Sequence, residues 1–211
     1  MKTPDPKTRR FMKTRQEIIT AACEIIRTEG VDALSMRSLA EKVDYSPSAL
    51  YKYFNSKEEI IETLRQEGWS QMESLFRRRV DSSQAPTQTL VEAAFAYLEL
   101  GDLFPELYQL MFNSTVDAPA DVKDVENDPR FQVLLNMIRQ SVDSGEFTLP
   151  GDLSVLEYRY LAWFIMHGIS MLKVSMFRNC REQFDPLARE IVRKFILFSS
   201  VSSDSNPSKS N

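Results

Sequence analysis

Helix-start signals recur along this 211-residue chain, and no stretch of it has the pattern of a strand. Thr14 with Glu17, Ser56 with Glu59 and Ser154 with Glu157 carry the spacing of a capping box. In that motif each side chain satisfies an amide that the first helical turn leaves without a partner. Ser46-Pro47, Asp128-Pro129 and Asp185-Pro186 set an oxygen-bearing cap before a proline, whose missing N–H costs nothing at the first helical position. Only six glycines are present, and alternating Val/Ile/Thr runs between turn residues are missing. Both features argue against sheet, so the fold class is all-α.

The signals divide the chain. "TRQEIITAACEIIRTEG" predicts a helix from Thr14, with Ile18, Ala22, Ile25 and Ile26 on one face and Gly30 as its stop. Ser35 caps "MRSLAEKV", with Leu39, Ala40 and Val43 inward, and Asp44-Tyr45 break it. Ser46 caps "PSALYKY", a helix of about seven residues. Phe54-Asn55 end it, and a long helix runs from Ser56 to about Arg79. Beyond "DSSQAP" the pattern is denser in Phe, Tyr and Met, with helices expected near 87–101, 103–113, 129–144, 154–179 and 186–199. Residues 114–128 read as an acidic loop. The layout expected is a flexible basic arm at 1–13, a three-helix domain at 14–60, a helical domain at 61–200 and a disordered Ser-rich tail at 201–211.

Net charge is −4, but it is unevenly spread. Residues 1–65 carry 12 Lys/Arg against 10 Asp/Glu, and residues 66–211 carry 14 against 20. The first fifteen residues alone hold Lys2, Lys7, Arg9, Arg10, Lys13 and Arg15. One end is suited to a polyanion and the other is not. Cys23 and Cys180 lie in apolar helical patterns and read as buried thiols. The longest apolar stretch, 160–177, is interrupted by His167 and Lys173 and flanked by Arg159 and Arg178. It reads as a core helix rather than a membrane span, and the chain as cytoplasmic.

A helix of about seven residues buries too little to form for its own sake. Preceded by the helix at 36–43 across a three-residue turn, it has the helix-turn-helix arrangement, whose second helix enters the DNA major groove. Ser46 caps it, and the small Pro47, Ser48 and Ala49 allow its N-terminus close to base edges. Leu50 and Phe54, four apart, face the core. Tyr51, Lys52 and Tyr53 are left to reach bases and phosphates. Lys57 opposes the dipole of the next helix, a position that a phosphate contact would explain. Arg37 is placed to reach a guanine or the backbone.

Residues 15–64 resemble the N-terminal DNA-binding domain of TetR-family transcriptional regulators. The pattern Ala-Ala…Gly…Ser-x-Arg-x-Leu-Ala…Ser-x-x-x-Leu-Tyr-x-Tyr-Phe-x-Ser-Lys-Glu runs through them without a gap. The resemblance implies base contacts for the residues matching Arg37, Pro47, Ser48 and Tyr51, and phosphate contacts for those matching Lys52, Tyr53 and Lys57. Asp44 stands where the family usually has Gly. Aspartate tolerates left-handed backbone better than most residues, so the turn should survive. Trp163…His167-Gly168, with "FPELYQLMF" upstream, is similar to a subgroup whose ligand domain carries a Trp…His-Gly signature.

The resemblance further implies a homodimer on a palindromic double-stranded DNA operator, built by two C-terminal helices from each subunit. An apolar helix at 154–179 and "LAREIVRKFILFSS", with Leu187, Ile191, Phe195 and Phe198 on one side, suit that role. Phe104, Tyr108, Met111, Phe112, Met137, Trp163, Phe164, Met166 and His167 are candidates to line an apolar effector pocket. Repression is expected, since a dimer on its operator needs only to occlude polymerase. Catalysis is not: one histidine, no Gly-rich phosphate loop, no nucleophile elbow and no Cys/His metal spacing leave no catalytic residue, metal or cofactor to propose. The competing reading is a helical protein-interaction adaptor that has lost DNA binding.

Overall fold

The computed structural model describes residues 5–81, 83–113 and 119–198, apart from the side chains of Asn113 and Phe198. Among these every regular element is helical. Two compact units are present, one formed by Met1–Ser70 with Glu106–Asn113 and the other by Gln71–Pro105 with Ser114–Asn211. The expected tail at 201–211, the first four residues of the arm and 114–118 of the expected loop lie outside the described residues.

The first unit contains α1 (Pro6–Glu29), a 3-10 turn (Val31–Ala33), α2 (Met36–Lys42), α3 (Pro47–Leu50), the first part of α4 (Lys57–Arg79) and α6 (Pro105–Asn113), apart from Pro105 itself. Helix α1 begins well before Thr14. Asp5 accepts from the amides of Lys7 and Thr8 and Pro6 takes the first position, so the basic segment from Pro6 to Lys13 is helix rather than a flexible arm. The core joins Ile18, Ala22 and Ile25 of α1 to Leu34, Leu39, Leu50, Phe54, Ile60 and Leu64, all nearly or fully buried. Gly68 permits a close approach of α4 and α6, because a Cβ there would stand 2.5 Å from the Met111 sulfur.

The second unit packs α5 (Pro86–Leu103), α8 (Pro129–Asp143), α9 (Val155–Val174) and α10 (Arg181–Phe198) against one another, with α7 (Val122–Asn127) beside α8. Part of the expected acidic loop is therefore helix. Asp121 and Asp124 form a capping box for α7, whose apolar pattern is too short to read from sequence. Helix α9 ends at Val174, five residues early, where the Ser175 hydroxyl donates to the Met171 carbonyl. Helix α10 starts at Arg181, ahead of the expected Asp185-Pro186 cap, and takes Pro186 into its second turn. Keeping Asp185 inside the helix lets its carboxylate meet Arg189 one turn on, at 2.7 Å, and Lys173 of α9, at 2.5 Å.

Candidate nucleic-acid interface and effector region

The turn between α2 and α3 is a Schellman motif. The Tyr45 amide donates to Ala40 O at 2.9 Å and the Asp44 amide to Glu41 O at 3.4 Å, with Asp44 between them at φ 56°. It is the single non-glycine residue at positive φ among those described. The aspartate thus adopts the left-handed conformation that glycine takes more easily.

Ser46 accepts the Ala49 amide and touches the Ser48 hydroxyl at 3.0 Å, fixing the start of α3. The α-helix is four residues rather than seven. From Lys52 the amides turn to i−3 partners, Lys52 to Ala49 O and Tyr53 to Leu50 O, which tightens the last turn. The helix is held by Leu50 and Phe54, both fully buried, with the Arg15 guanidinium 4.3 Å over the Phe54 ring. Arg15 also pairs with Glu59 at 3.0 Å. Glu59 accepts the Asn55 amide and side chain, and these bonds outweigh burial to hold its carboxyl below the usual range. The expected Ser56–Glu59 box is half formed: Ser56 accepts the Glu59 amide, but the Glu59 carboxylate goes to Asn55.

With its inner side so fixed, α3 and the turn after it leave Pro47, Ser48, Tyr51 and Lys52 exposed. Arg37 is exposed as well, paired to Glu41 at 3.1 Å. Two expected contacts differ. Tyr53 does not stand free, because its ring stacks between Phe11 of α1 at 5.0 Å and Tyr45 at 6.4 Å. Lys57 donates to the Val31 carbonyl at 3.1 Å, so an unfavourable dipole position is explained without a phosphate.

The family model described as "Bacterial regulatory proteins, tetR family" matches residues 18–64, which span α1 to α4. Residues 18–64 are thus similar to the DNA-binding domain of TetR-family regulators. Among relatives of this chain, the HTH-type transcriptional regulator HbdR of Aromatoleum sp. (strain CIB) is 24% identical over 180 residues, covering 82% of this chain and 77% of HbdR. The HTH-type transcriptional repressor KstR2 of Mycolicibacterium smegmatis is 21% identical over 151 residues, covering 70% and 73%. A bacterial regulatory protein in the tetR family from Rhodococcus RHA1 shares the fold, with a TM-score of 0.66 at 16% identity over 87% of this chain and 97% of that one. These relatives are regulators rather than enzymes. No helix among the described residues is long and apolar enough to cross a membrane.

The residues expected to line an effector pocket divide between the two units. Tyr108, Met111 and Phe112 belong to α6 in the first unit, where Phe112 packs edge-on against Trp69. Phe104, Met137, Trp163, Phe164 and His167 belong to the second. Phe164 is 60% exposed on the outer side of α9. Trp163 and His167 do meet: the indole N–H donates to the Tyr97 hydroxyl at 3.2 Å, and that hydroxyl lies 3.2 Å from His167 Nδ1. Burial lowers the His167 pKa and favours the neutral ring, whose Nδ1 can accept the tyrosyl proton.

An apolar cavity of about 20 Å³ in the second unit is lined by Leu90, Ala94, Ile138, Tyr158, Met166 and Val192, among others. It has room for about one water and none for a metabolite. Both cysteines are free thiols and part-buried, and burial together with the nearby Glu106 raises the Cys23 pKa. Sequence reading took Arg159 only as a flank of the apolar stretch and did not single out Tyr97. A charged residue within an apolar helix was the available signal for the first; the second becomes visible only through its partners.

Proposed function

We propose that the protein is a homodimeric repressor that occupies a palindromic operator and is released by a small, largely apolar effector. The observation that carries the reading is the form of α3. Four residues of helix anchored by buried Leu50 and Phe54 present Pro47, Ser48, Tyr51 and Lys52 outward, as a reading head requires. Arg37 and Lys52 supply cations beside it, and Lys57 has ammonium protons beyond the one given to Val31.

Dimerisation is supported by the outer faces of α9 and α10. Leu161, Phe164 and Leu172 on the first helix, and Leu187, Ile191 and Leu197 on the second, are all more than a third exposed. Helix α9 is thus apolar on its inner and outer sides, a pattern that calls for cover on both. Helix α10 likewise buries Ala188, Val192 and Ile196 while showing Leu187 and Ile191. A second copy would cover these faces, giving a two-fold pair of reading heads.

Selection from random DNA tests the proposal. The expected product is an inverted repeat bound by a species that sediments as a dimer, with half-sites about one helical turn apart or a multiple of it. A monomer at micromolar concentration, or enrichment of single unpaired half-sites, would contradict it.

A further inference from the structure

Arg159 is 2% exposed, and both of its terminal nitrogens lack a hydrogen-bond partner. It stands in the first turns of α9, its guanidinium 4.4 Å from the Tyr160 ring and 5.8 Å from that of Phe131 on α8. No described carboxylate forms an ion pair with it. The nearby Glu126 instead accepts the Tyr160 hydroxyl at 3.3 Å. Ring faces attract the cation but supply no acceptor. The oxygen beside it, the Tyr160 hydroxyl, already donates to Glu126 and makes no well-formed bond to either terminal nitrogen. A buried charge without an anion is costly, and native structures seldom retain one that has no use.

The surroundings suit a ligand body. Phe131 meets Trp163 edge-on at 5.2 Å, and Trp163 begins the hydrogen-bonded chain through Tyr97 to His167. Arg159, Trp163 and Met166, spaced by four and three residues, lie along one stripe of α9. The stripe has a cation at one end and apolar surface beyond it. We infer that the effector of this regulator is an aromatic or alicyclic carboxylic acid whose carboxylate is taken end-on by the two terminal nitrogens of Arg159. This rests on the effector-released repressor reading and narrows the effector from apolar to apolar with an acid group. A planar guanidinium with both terminal nitrogens unsatisfied matches the two oxygens of a carboxylate. Phe131 and Tyr160 are themselves part-exposed, so moving one ring opens the fork without unfolding a helix.

The test compares wild type with Arg159→Met. Melting is followed with benzoate, phenylacetate and cyclohexanecarboxylate, with their neutral amides, and with phenyl phosphate. At least one acid is expected to raise the wild-type melting temperature with increasing concentration. Its amide should bind at least about tenfold more weakly, since a charge-assisted hydrogen bond is lost. Arg159→Met should abolish the difference between acid and amide. Without ligand that variant should melt at or above the wild-type temperature, because a buried unpaired charge has been replaced by an adaptable apolar chain.

Equal response to acid and amide, no response to any acid, or stronger binding of phenyl phosphate would each overturn the inference. So would an unliganded Arg159→Met that melts several degrees lower, which would make the arginine structural. DNA binding by both proteins is measured alongside. Wild type that binds selected DNA but responds to no acid sinks this inference alone, whereas wild type that binds no selected DNA sinks the repressor reading.

Discussion

Lys173→Ala is expected to destabilise the second unit by about 3–5 kcal/mol, the usual cost of removing one partner from a buried ion pair. Lys173 is 1% exposed, and its ammonium meets Asp102 of α5 at 2.7 Å and Asp185 of α10 at 2.5 Å. Arg189 adds a 2.7 Å bond to Asp185 and approaches Asp102 at 4.0 Å. One cation therefore joins three helices, and its loss leaves two part-buried carboxylates facing each other with only the arginines to balance them.

The same network sets a pH dependence. Burial pushes the Asp185 pKa up, but the bonds from Lys173 and Arg189 prevail and hold it below the ordinary 3.8. A depressed carboxyl contributes stability above its unfolded pKa, and that stability fades as pH falls through the folded value. Wild type should hold this contribution down to about pH 4 and lose it below. Lys173→Ala should lose stability at neutral pH and show a weaker further dependence in acid. Urea unfolding followed by helicity at pH 7 and pH 3.5 measures both. A neutral-pH cost under 1 kcal/mol would show that solvent already screens the pair.

Phe54→Ala is expected to cost the first unit about 3–5 kcal/mol, the range for deleting a buried aromatic ring. Its consequence for DNA should be larger than any change at the reading surface. Phe54 is fully buried, accepts the Arg15 guanidinium on its face and closes the turn that follows α3. A cavity there frees both the four-residue helix and the Arg15–Glu59 pair that ties α1 to the start of α4. Near-complete loss of operator binding is expected, with the α5–α8–α9–α10 unit still folded and visible as a retained melting transition. Phe54→Leu, which keeps most of the volume, should be far milder. Operator affinity within twofold of wild type for Phe54→Ala would contradict this account of how the reading head is held.

Much of this was legible in the chain. The positions of α2, α3, α4 and α8 follow from side-chain caps and proline starts, which are local and leave a signature within four residues. Leu50 and Phe54 were readable as inward because a four-residue spacing sets two side chains on one face. The misreadings share a cause, in that a local signal was outweighed by another close by. Thr14–Glu17 has the form of a cap, yet Asp5-Pro6 starts the helix two turns earlier. Asp185-Pro186 looks like a start, yet Asp185 is needed inside the helix against Lys173 and Arg189.

The long-range contacts of the second unit were less legible because their members are distant in sequence. Tyr97 and Trp163 are 66 residues apart and Lys173 and Asp102 are 71 apart, and no spacing rule joins them. Phe164 was placed in a pocket because aromatic residues near Trp163 look alike in sequence. One step along a helix turns a side chain by about 100°, enough to move it from the interior to the surface.

The central claim is that α3 reads DNA, and the salt dependence of binding tests it most directly. Anisotropy of labelled operator DNA, taken first from upstream of the protein's own gene and otherwise from the selected sequences, is titrated at several salt concentrations with wild type, Tyr51→Ala and Lys52→Ala. The account predicts that log Kobs for wild type falls linearly with log salt and that Tyr51→Ala weakens binding and relaxes sequence preference. Lys52→Ala should lower the slope by about two per dimer, because each subunit then leaves one more phosphate to its counterions. A slope unchanged by Lys52→Ala and a preference unchanged by Tyr51→Ala would place recognition elsewhere. No salt-dependent binding to any selected DNA would contradict the account outright.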